Sequence, residues 1–313
     1  MLAWRMDPEA APASHVPRSI EASNGLRLLT TTTGEGEVFA RFYAGYDRAF
    51  VLENEKEGKQ GFVRCFELND GASYQKLSAL YGPYCEVSVV AEDAGTEIGG
   101  ANFIAMPTDD GAIVTANLSY IYVLPEHRGR GYLSKLFAAT CELIGGLFPA
   151  AARPRVVVFI EQNDPFRMSA EDYQRDTEFT GLDQFARLRI WAKLGAKVVD
   201  FDYAQPPLSS EQEVDDTLLY SVLGLEGALL NACVLEGHLR RFFGVSVLKG
   251  AAMEQNAAAH AQLSNLRAAC AQNKDIELLD PLPLLTKIDG RDDAMKLWSA
   301  PPPNFRAALA HMR

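Results

Sequence analysis

The 313-residue chain contains no run of 18 consecutive apolar residues, so no segment reads as a membrane-spanning helix. It lacks a basic excess: 30 Lys and Arg stand against 41 Asp and Glu, a net charge of −11. That balance argues against a nucleic-acid binder, which needs a basic stripe, and against docking on anionic lipid. Cysteine is scarce. Cys65, Cys85, Cys141, Cys233 and Cys270 are far apart and never spaced C-x-x-C, which predicts reduced thiols in a cytoplasmic compartment. The five histidines, His15, His127, His238, His260 and His311, sit beside no cysteine pair, so no metal site is expected. The N-terminus lacks a basic stretch followed by an apolar one, and no signal peptide is read there. There is no internal repeat and no long low-complexity tract.

With 48% apolar residues, the chain can bury a large core without disulfide or metal staples. Residues 1–24 carry Pro8, Pro12 and Pro17 and read as a loose lead-in. Glu37 to Tyr46 and Ser73 to Leu80 read as short helices, separated by the polar stretch Glu53 to Gln60. The period then changes. Glu86 to Ala91, Ile98 to Ala105 and Ile113 to Val123 are rich in β-branched and aromatic residues. Asp93-Ala94-Gly95 and Asp109-Asp110-Gly111 mark tight turns between them, which predicts an antiparallel meander. From Tyr132, apolar residues at 133, 136, 137, 141 and 144 follow the stripe of a helix packed on a sheet, closed by Gly145-Gly146. Arg155 to Ile160 is a continuous apolar run, as in a strand buried on both faces. A polar insertion over Glu161 to Gln184, a helix over Phe185 to Leu194, and strands over Lys197 to Tyr203 and Thr217 to Leu225 complete the pattern. Residues 226–313 read as a helical C-terminal extension, with helices over Ala228 to Phe243 and Ala257 to Gln272.

The most informative segment is Tyr120 to Ser134, Y-I-Y-V-L-P-E-H-R-G-R-G-Y-L-S. A strand ends at Val123, Pro125 stops its ladder, and Gly129 and Gly131 open a helix. Strand, glycine-bearing loop and helix N-terminus together make an anion site. The first helical turn has unpaired N–H groups, and the helix dipole favours negative charge there. Glycines let a phosphate approach the main chain, and Arg128 and Arg130 add positive charge. The segment is not a Walker A loop, since G-K-[ST] is missing, and not a dinucleotide fingerprint, since Ser134 stands where that pattern needs glycine.

The run from Val123 to Ser134 resembles motif A of the GNAT superfamily of N-acyltransferases, written Gln/Arg-x-x-Gly-x-Gly/Ala. Glu126 stands where that pattern asks for Gln or Arg, while Arg128-Gly129-x-Gly131 is intact. Arg189-Ile190-Trp191-Ala192-Lys193-Leu194-Gly195 is similar to the family's later helix, L-Y-x-K-x-G-F, with Trp191 in the Tyr position and Ala196 in the Phe position. The resemblance covers residues 20–225. It implies an α/β fold with a mixed, mostly antiparallel central sheet flanked by helices over 25–225, followed by the helical extension.

The resemblance also implies acetyl-CoA or acyl-CoA as co-substrate, bound where the family's fourth and fifth strands splay apart. Main-chain groups at Tyr122 and Val123 would pair with the pantetheine arm. Backbone N–H groups of Arg128, Gly129, Arg130, Gly131, Tyr132, Leu133 and Ser134 would cradle the pyrophosphate. An acceptor amine would attack the thioester directly, a chemistry that needs a base, oxyanion donors and an acid for the leaving thiolate. The family often places a carboxylate on the fourth strand. Here that strand offers Asn117, Ser119 and Tyr120, so Glu161 at the end of the apolar strand is the candidate base. The family's frequent acid is the Tyr whose place Trp191 takes, and indole cannot release a proton, so the candidate acids are Tyr120, Tyr122 or another group, with water-mediated transfer as the alternative. The acidic stretch with Asp47, Glu53, Glu55 and Glu57, beside Tyr43, Tyr46 and Phe50, suggests a small-molecule amine acceptor with an extra cationic or polar group. Two alternatives remain: an enzyme that takes its acyl group from an acyl carrier protein, and a non-catalytic acyl-CoA-binding module.

Overall fold

Strands form where β-branched residues cluster, and the longest three are consecutive. A computed structural model describes residues 11–50, 56–148, 153–207, 213–298 and 302–311. Two compact units divide the chain. Of the described residues, the first takes 11–50, 56–158 and 237–253, and the second 159–236 and 254–311.

In the first unit, Ser19–Glu21 (β1) pairs antiparallel with Arg27–Thr31 (β2), so the expected lead-in already contributes a strand. Gly36–Ala49 (α1), Lys59–Glu67 (α2) and Gly71–Tyr81 (α3) follow. The end of the polar run opens the nine-residue α2, whose Phe62, Cys65 and Phe66 form one buried face. So short a helix is held by tertiary packing rather than by propensity. Asp70 caps α3, accepting the Gly71 N–H at 2.7 Å. Cys85–Asp93 (β3), Thr96–Pro107 (β4) and Ile113–Val123 (β5) form the expected antiparallel meander. Ser88 lies opposite Asn102 and Asn102 opposite Tyr120, so these three share a face. The β4–β5 register shifts between Asn102 and Ile104, a bulge in the middle of the pair.

Tyr132–Gly146 (α4) buries Leu136, Ala139, Thr140, Leu143 and Ile144, the predicted stripe. Arg155–Asn163 (β6) begins in this unit, after β5 in the order β1-β2-β3-β4-β5-β6. The core on α1 and α2 is aromatic: Phe39, Phe42, Tyr46, Phe62 and Phe66 pack with Val90, Tyr122 and Leu124. Each fully buried Phe contributes about 1.5–3 kcal/mol relative to leaving it exposed.

The second unit contains the end of β6 and four more strands. Ala170–Thr180 (α5) lies within the expected polar insertion, its start capped by Ser169, which accepts the Asp172 N–H at 3.0 Å. Gln184–Lys193 (α6) is capped by Asp183. Lys197–Val199 (β7) stops short of the predicted strand, because the N–H groups of Phe201 and Tyr203 turn back onto Val199 O (2.8 Å) and Phe201 O (3.0 Å). Leu218–Leu223 (β8), Leu229–Asn231 (β9), Ala232–Phe242 (α7, whose residues from Gly237 belong to the first unit), Ala257–Ala271 (α8) and Asp275–Leu279 (β10) follow. The strand order here is β6-β8-β7-β10-β9. Leu282–Leu285 (α9), Arg291–Lys296 (α10) and Phe305–Ala310 (α11) end the chain. Tyr173, Phe185, Leu188, Val198, Leu219 and Phe305 belong to its core.

The fold is the expected mixed α/β arrangement of a mostly antiparallel sheet flanked by helices, with C-terminal helices present. Two readings are corrected. The helix predicted from Ala228 starts at Ala232, because Leu229–Asn231 is drawn into antiparallel pairing with Asp275–Glu277, 45 residues or so onward by chain count. The reading of five reduced thiols is also overturned: Cys233 and Cys270 form a disulfide, with Cα atoms 4.6 Å apart. The start of α7 and the end of α8 are brought together by folding, a proximity that their spacing of 37 residues does not reveal. Cys65, Cys85 and Cys141 are free thiols.

Candidate functional site

The glycine loop lies wholly in the first unit. β5 ends at Val123, and the Leu124 N–H makes a last ladder bond to Ile98 O at 2.9 Å. Pro125–His127 forms one 3-10 turn, closed by the Arg128 N–H on Pro125 O at 3.2 Å. The Arg128 side chain folds back, its Nε donating to Val123 O at 3.2 Å. Gly129 and Gly131 then take φ of +73° and +77°, the left-handed region that glycine enters without cost. At both positions the space a Cβ would fill is open, with nothing within 4 Å. Gly131 is the N-cap of α4, and no side chain caps that end. The first intrahelical bond there runs from the Lys135 N–H to Gly131 O at 3.3 Å, so the N–H groups of Tyr132, Leu133 and Ser134 precede the ladder.

Charge around the loop is mostly positive. Arg128 and Arg130 are exposed, and Lys135 Nζ lies 5.5 Å from the centre of the Tyr132 ring. The Tyr132 hydroxyl donates to Asp93 Oδ2 at 2.7 Å, which raises the phenol's pKa. That bond ties the first residue of α4 to the end of β3. The His127 ring meets Tyr132 edge-on at 5.9 Å. An exposed, uncapped helix start flanked by arginines and opened by two left-handed glycines has the chemistry that suits an anion such as a phosphate.

The candidate acids differ sharply. Tyr122 is buried, its hydroxyl donating to Phe42 O at 2.9 Å, and burial raises its pKa well above that of an ordinary phenol. Gly45 of α1 faces this ring so closely that a Cβ there would lie 2.4 Å from Tyr122 Oη. The Tyr122 side chain is therefore built into the α1 contact. Tyr120 is half-buried and meets Tyr46, Phe50 and Phe62 at ring distances of 4.6, 5.2 and 5.6 Å. Its hydroxyl bonds to that of Tyr46, which also accepts the Glu57 N–H at 2.8 Å.

In the second unit, Glu161 is half-buried near the end of β6 and accepts a hydrogen bond from the Tyr203 hydroxyl. Trp191 is a buried residue of α6. Asp47 meets Lys56 at 2.6 Å and Glu57 meets Lys249 at 2.7 Å, while Glu53 and Glu55 lie outside the described residues.

A group missed by sequence reasoning is Glu86 on β3, which is 3% exposed. Its Oε2 accepts from the Ser246 hydroxyl at 2.7 Å, and the Asn102 side chain also bonds to it. Burial raises its pKa against these donors and the nearby Lys249. The signal was an acid inside an alternating β run; the donor that pairs with it lies 160 residues onward in sequence. Among the described residues, no group of three or more His, Cys, Asp or Glu is placed to hold a metal ion, and no helix is long and apolar enough to cross a membrane.

No family model and no curated protein matches the chain. Solved structures do. The ribosomal-protein-S18-alanine N-acetyltransferase from Escherichia coli matches at 13% identity over 64% of this chain and 96% of its own, with a TM-score of 0.34. The loading GNATL domain of CurA from Lyngbya majuscula matches at 14% identity over 64% and 97%, TM-score 0.35. An N-acetyltransferase from Staphylococcus aureus Mu50 matches at 15% identity over 64% and 99%, TM-score 0.32. Two other similar structures, from Streptococcus pneumoniae and Desulfovibrio desulfuricans, are described as an acetyltransferase and a putative acetyltransferase of the GNAT family.

Proposed function

We propose that the protein is a GNAT-type N-acyltransferase that moves an acetyl or longer acyl group from coenzyme A to a primary amine by direct attack. The observation that carries this reading is the β5–α4 loop: two left-handed glycines, an uncapped helix start and two exposed arginines at the end of a sheet strand. That arrangement suits a pyrophosphate, which brings several negative oxygens to one helix terminus. Under this reading the N–H groups from Arg128 to Ser134 hold the pyrophosphate, and the main chain of Tyr122 and Val123 pairs with the pantetheine arm. The reading assigns the acyl-transfer chemistry to residues 25–225.

The step itself forms a C–N bond and breaks a C–S bond. The amine nitrogen attacks the thioester carbonyl, its surplus proton passes to a base, and the departing thiolate takes a proton. We assign the base role to Glu161. For the acid, Tyr120 is favoured over Tyr122, whose hydroxyl is committed to Phe42 O inside the α1 contact. Mass-spectrometric detection of CoA release from acetyl-CoA and longer acyl-CoA, with a panel of small amines, tests the reading. Acylated amine formed with stoichiometric free CoA is the expected result. Failure of the protein to bind CoA in a calorimetric titration would overturn it.

A further inference from the structure

Glu161 sits against a buried phenol that the acyl-transfer reading leaves unused. Tyr203, four residues past the end of β7, donates its hydroxyl to Glu161 Oε1. The Tyr203 ring stacks face to face on Tyr220 of β8, centroids 4.3 Å apart and planes 13° apart. Tyr220 stacks in turn on Phe159 of β6, at 5.4 Å and 13°. The three rings leave the phenol little rotational freedom. The backbone beside it is clamped as well. Gln262 of α8 accepts the Ala204 N–H at 3.0 Å and donates to Ala204 O at 2.7 Å. A buried tyrosine hydroxyl needs a hydrogen-bond partner, but a main-chain carbonyl would satisfy it. Here the partner is the carboxylate proposed as the base.

We propose that Tyr203 is the positioning residue of Glu161: a phenol held rigid by the ring stack and the Gln262 clamp, which orients the carboxylate and favours its charged form. This rests on the reading of Glu161 as the base. Burial, reinforced by the neighbouring Glu161 charge, keeps the Tyr203 hydroxyl protonated far above neutral pH, so the donor persists wherever the carboxylate is charged. Tyr220 and Asp215 are among the other titratable groups acting on the pair. Asp215 Oδ1 accepts the Thr217 N–H at 2.8 Å and the Thr217 hydroxyl at 2.6 Å.

The test is a carboxyl-carbon NMR titration of the full chain in wild type and Tyr203→Phe, with Glu161→Gln identifying the resonance. Removing the donor should raise the Glu161 midpoint by about one pH unit, a tenfold change in proton affinity. An unchanged midpoint in a folded Tyr203→Phe protein overturns the proposal, whatever the reaction. In the acylation assay, Tyr203→Phe should move the acid limb of kcat/KM upward by the same amount while leaving CoA affinity unchanged. An unmoved limb in a reaction that Glu161→Gln abolishes also overturns it. Full turnover by Glu161→Gln would instead remove the base reading, and the titration alone would then decide whether Tyr203 governs the carboxylate.

Discussion

Replacing Gly131 by valine tests whether the backbone of the β5–α4 loop is the phosphate grip. Gly131 holds φ +77° and ψ +6° at the N-cap of α4. An L-residue in that region costs about 1–2 kcal/mol, and a β-branched one sits at the costly end. No atom lies within 4 Å of the added Cβ, so the cost is conformational and no packing is lost. The buried stripe of α4 starts at Leu136, beyond the first turn, so the fold should survive. Leaving the left-handed region would rotate the N–H groups of Tyr132, Leu133 and Ser134 away from a bound anion. A loss of 1.4 kcal/mol is a tenfold rise in Kd, so Gly131→Val should weaken CoA binding by at least about tenfold in a calorimetric titration. Gly131→Asn should lose least, because asparagine tolerates this region better than other side chains, and Gly131→Ala should fall between. Thermal unfolding of each variant controls for folding. A folded Gly131→Val protein with wild-type CoA affinity would refute this use of the loop.

Four further outcomes are expected. Glu161→Gln should lower turnover by about 100- to 10,000-fold with little change in CoA affinity; wild-type turnover would leave proton transfer to water. Asp164 is 1% exposed, and burial raises its pKa to about 6 against the N–H donors of Phe305 and Phe166. A carboxyl with a raised folded pKa binds its proton more tightly in the native state, so its contribution is greatest below about pH 4 and is lost as pH rises through 6, a swing of up to about 3 kcal/mol. Denaturant unfolding between pH 4.5 and 7 should show this component in wild type and not in Asp164→Asn, which should also be less stable through the loss of one acceptor; identical pH slopes would contradict it. Reducing the Cys233–Cys270 disulfide, which closes a loop of 37 residues, should lower stability by up to about 4 kcal/mol, and Tm measured with and without reductant should not differ in Cys233→Ser. Reversing Glu53 and Glu55 to lysine should raise the acceptor KM at low salt, shrinking within the usual 8–10 Å screening range as salt is added, with the donor KM unchanged; equal acceptor KM values at low salt would end that reading.

Local chemistry alone made the meander, the glycine loop and α4 legible. Alternating β-branched residues bounded by Asp-Gly turns have few other solutions, and a strand, a proline and two glycines before an apolar stripe specify a strand–loop–helix turn. The proposed anion site follows from that turn, because unpaired N–H groups come with any helix start. What folding decided depends on partners distant in the chain. Leu229–Asn231 is a strand because β10 offers it a ladder, and Cys233 is oxidised because Cys270 arrives beside it. Tyr120 and Tyr122, two residues apart on one strand, part company because the Phe42 carbonyl takes one hydroxyl and Tyr46 the other. Glu86 opens one strand run and Glu161 ends another; the Ser246 and Tyr203 hydroxyls that bind them come from elsewhere in each unit. Periodicity reports which face a residue takes, whereas hydrogen-bond partners and desolvation, which set a side chain's chemistry, exist only after distant segments have packed.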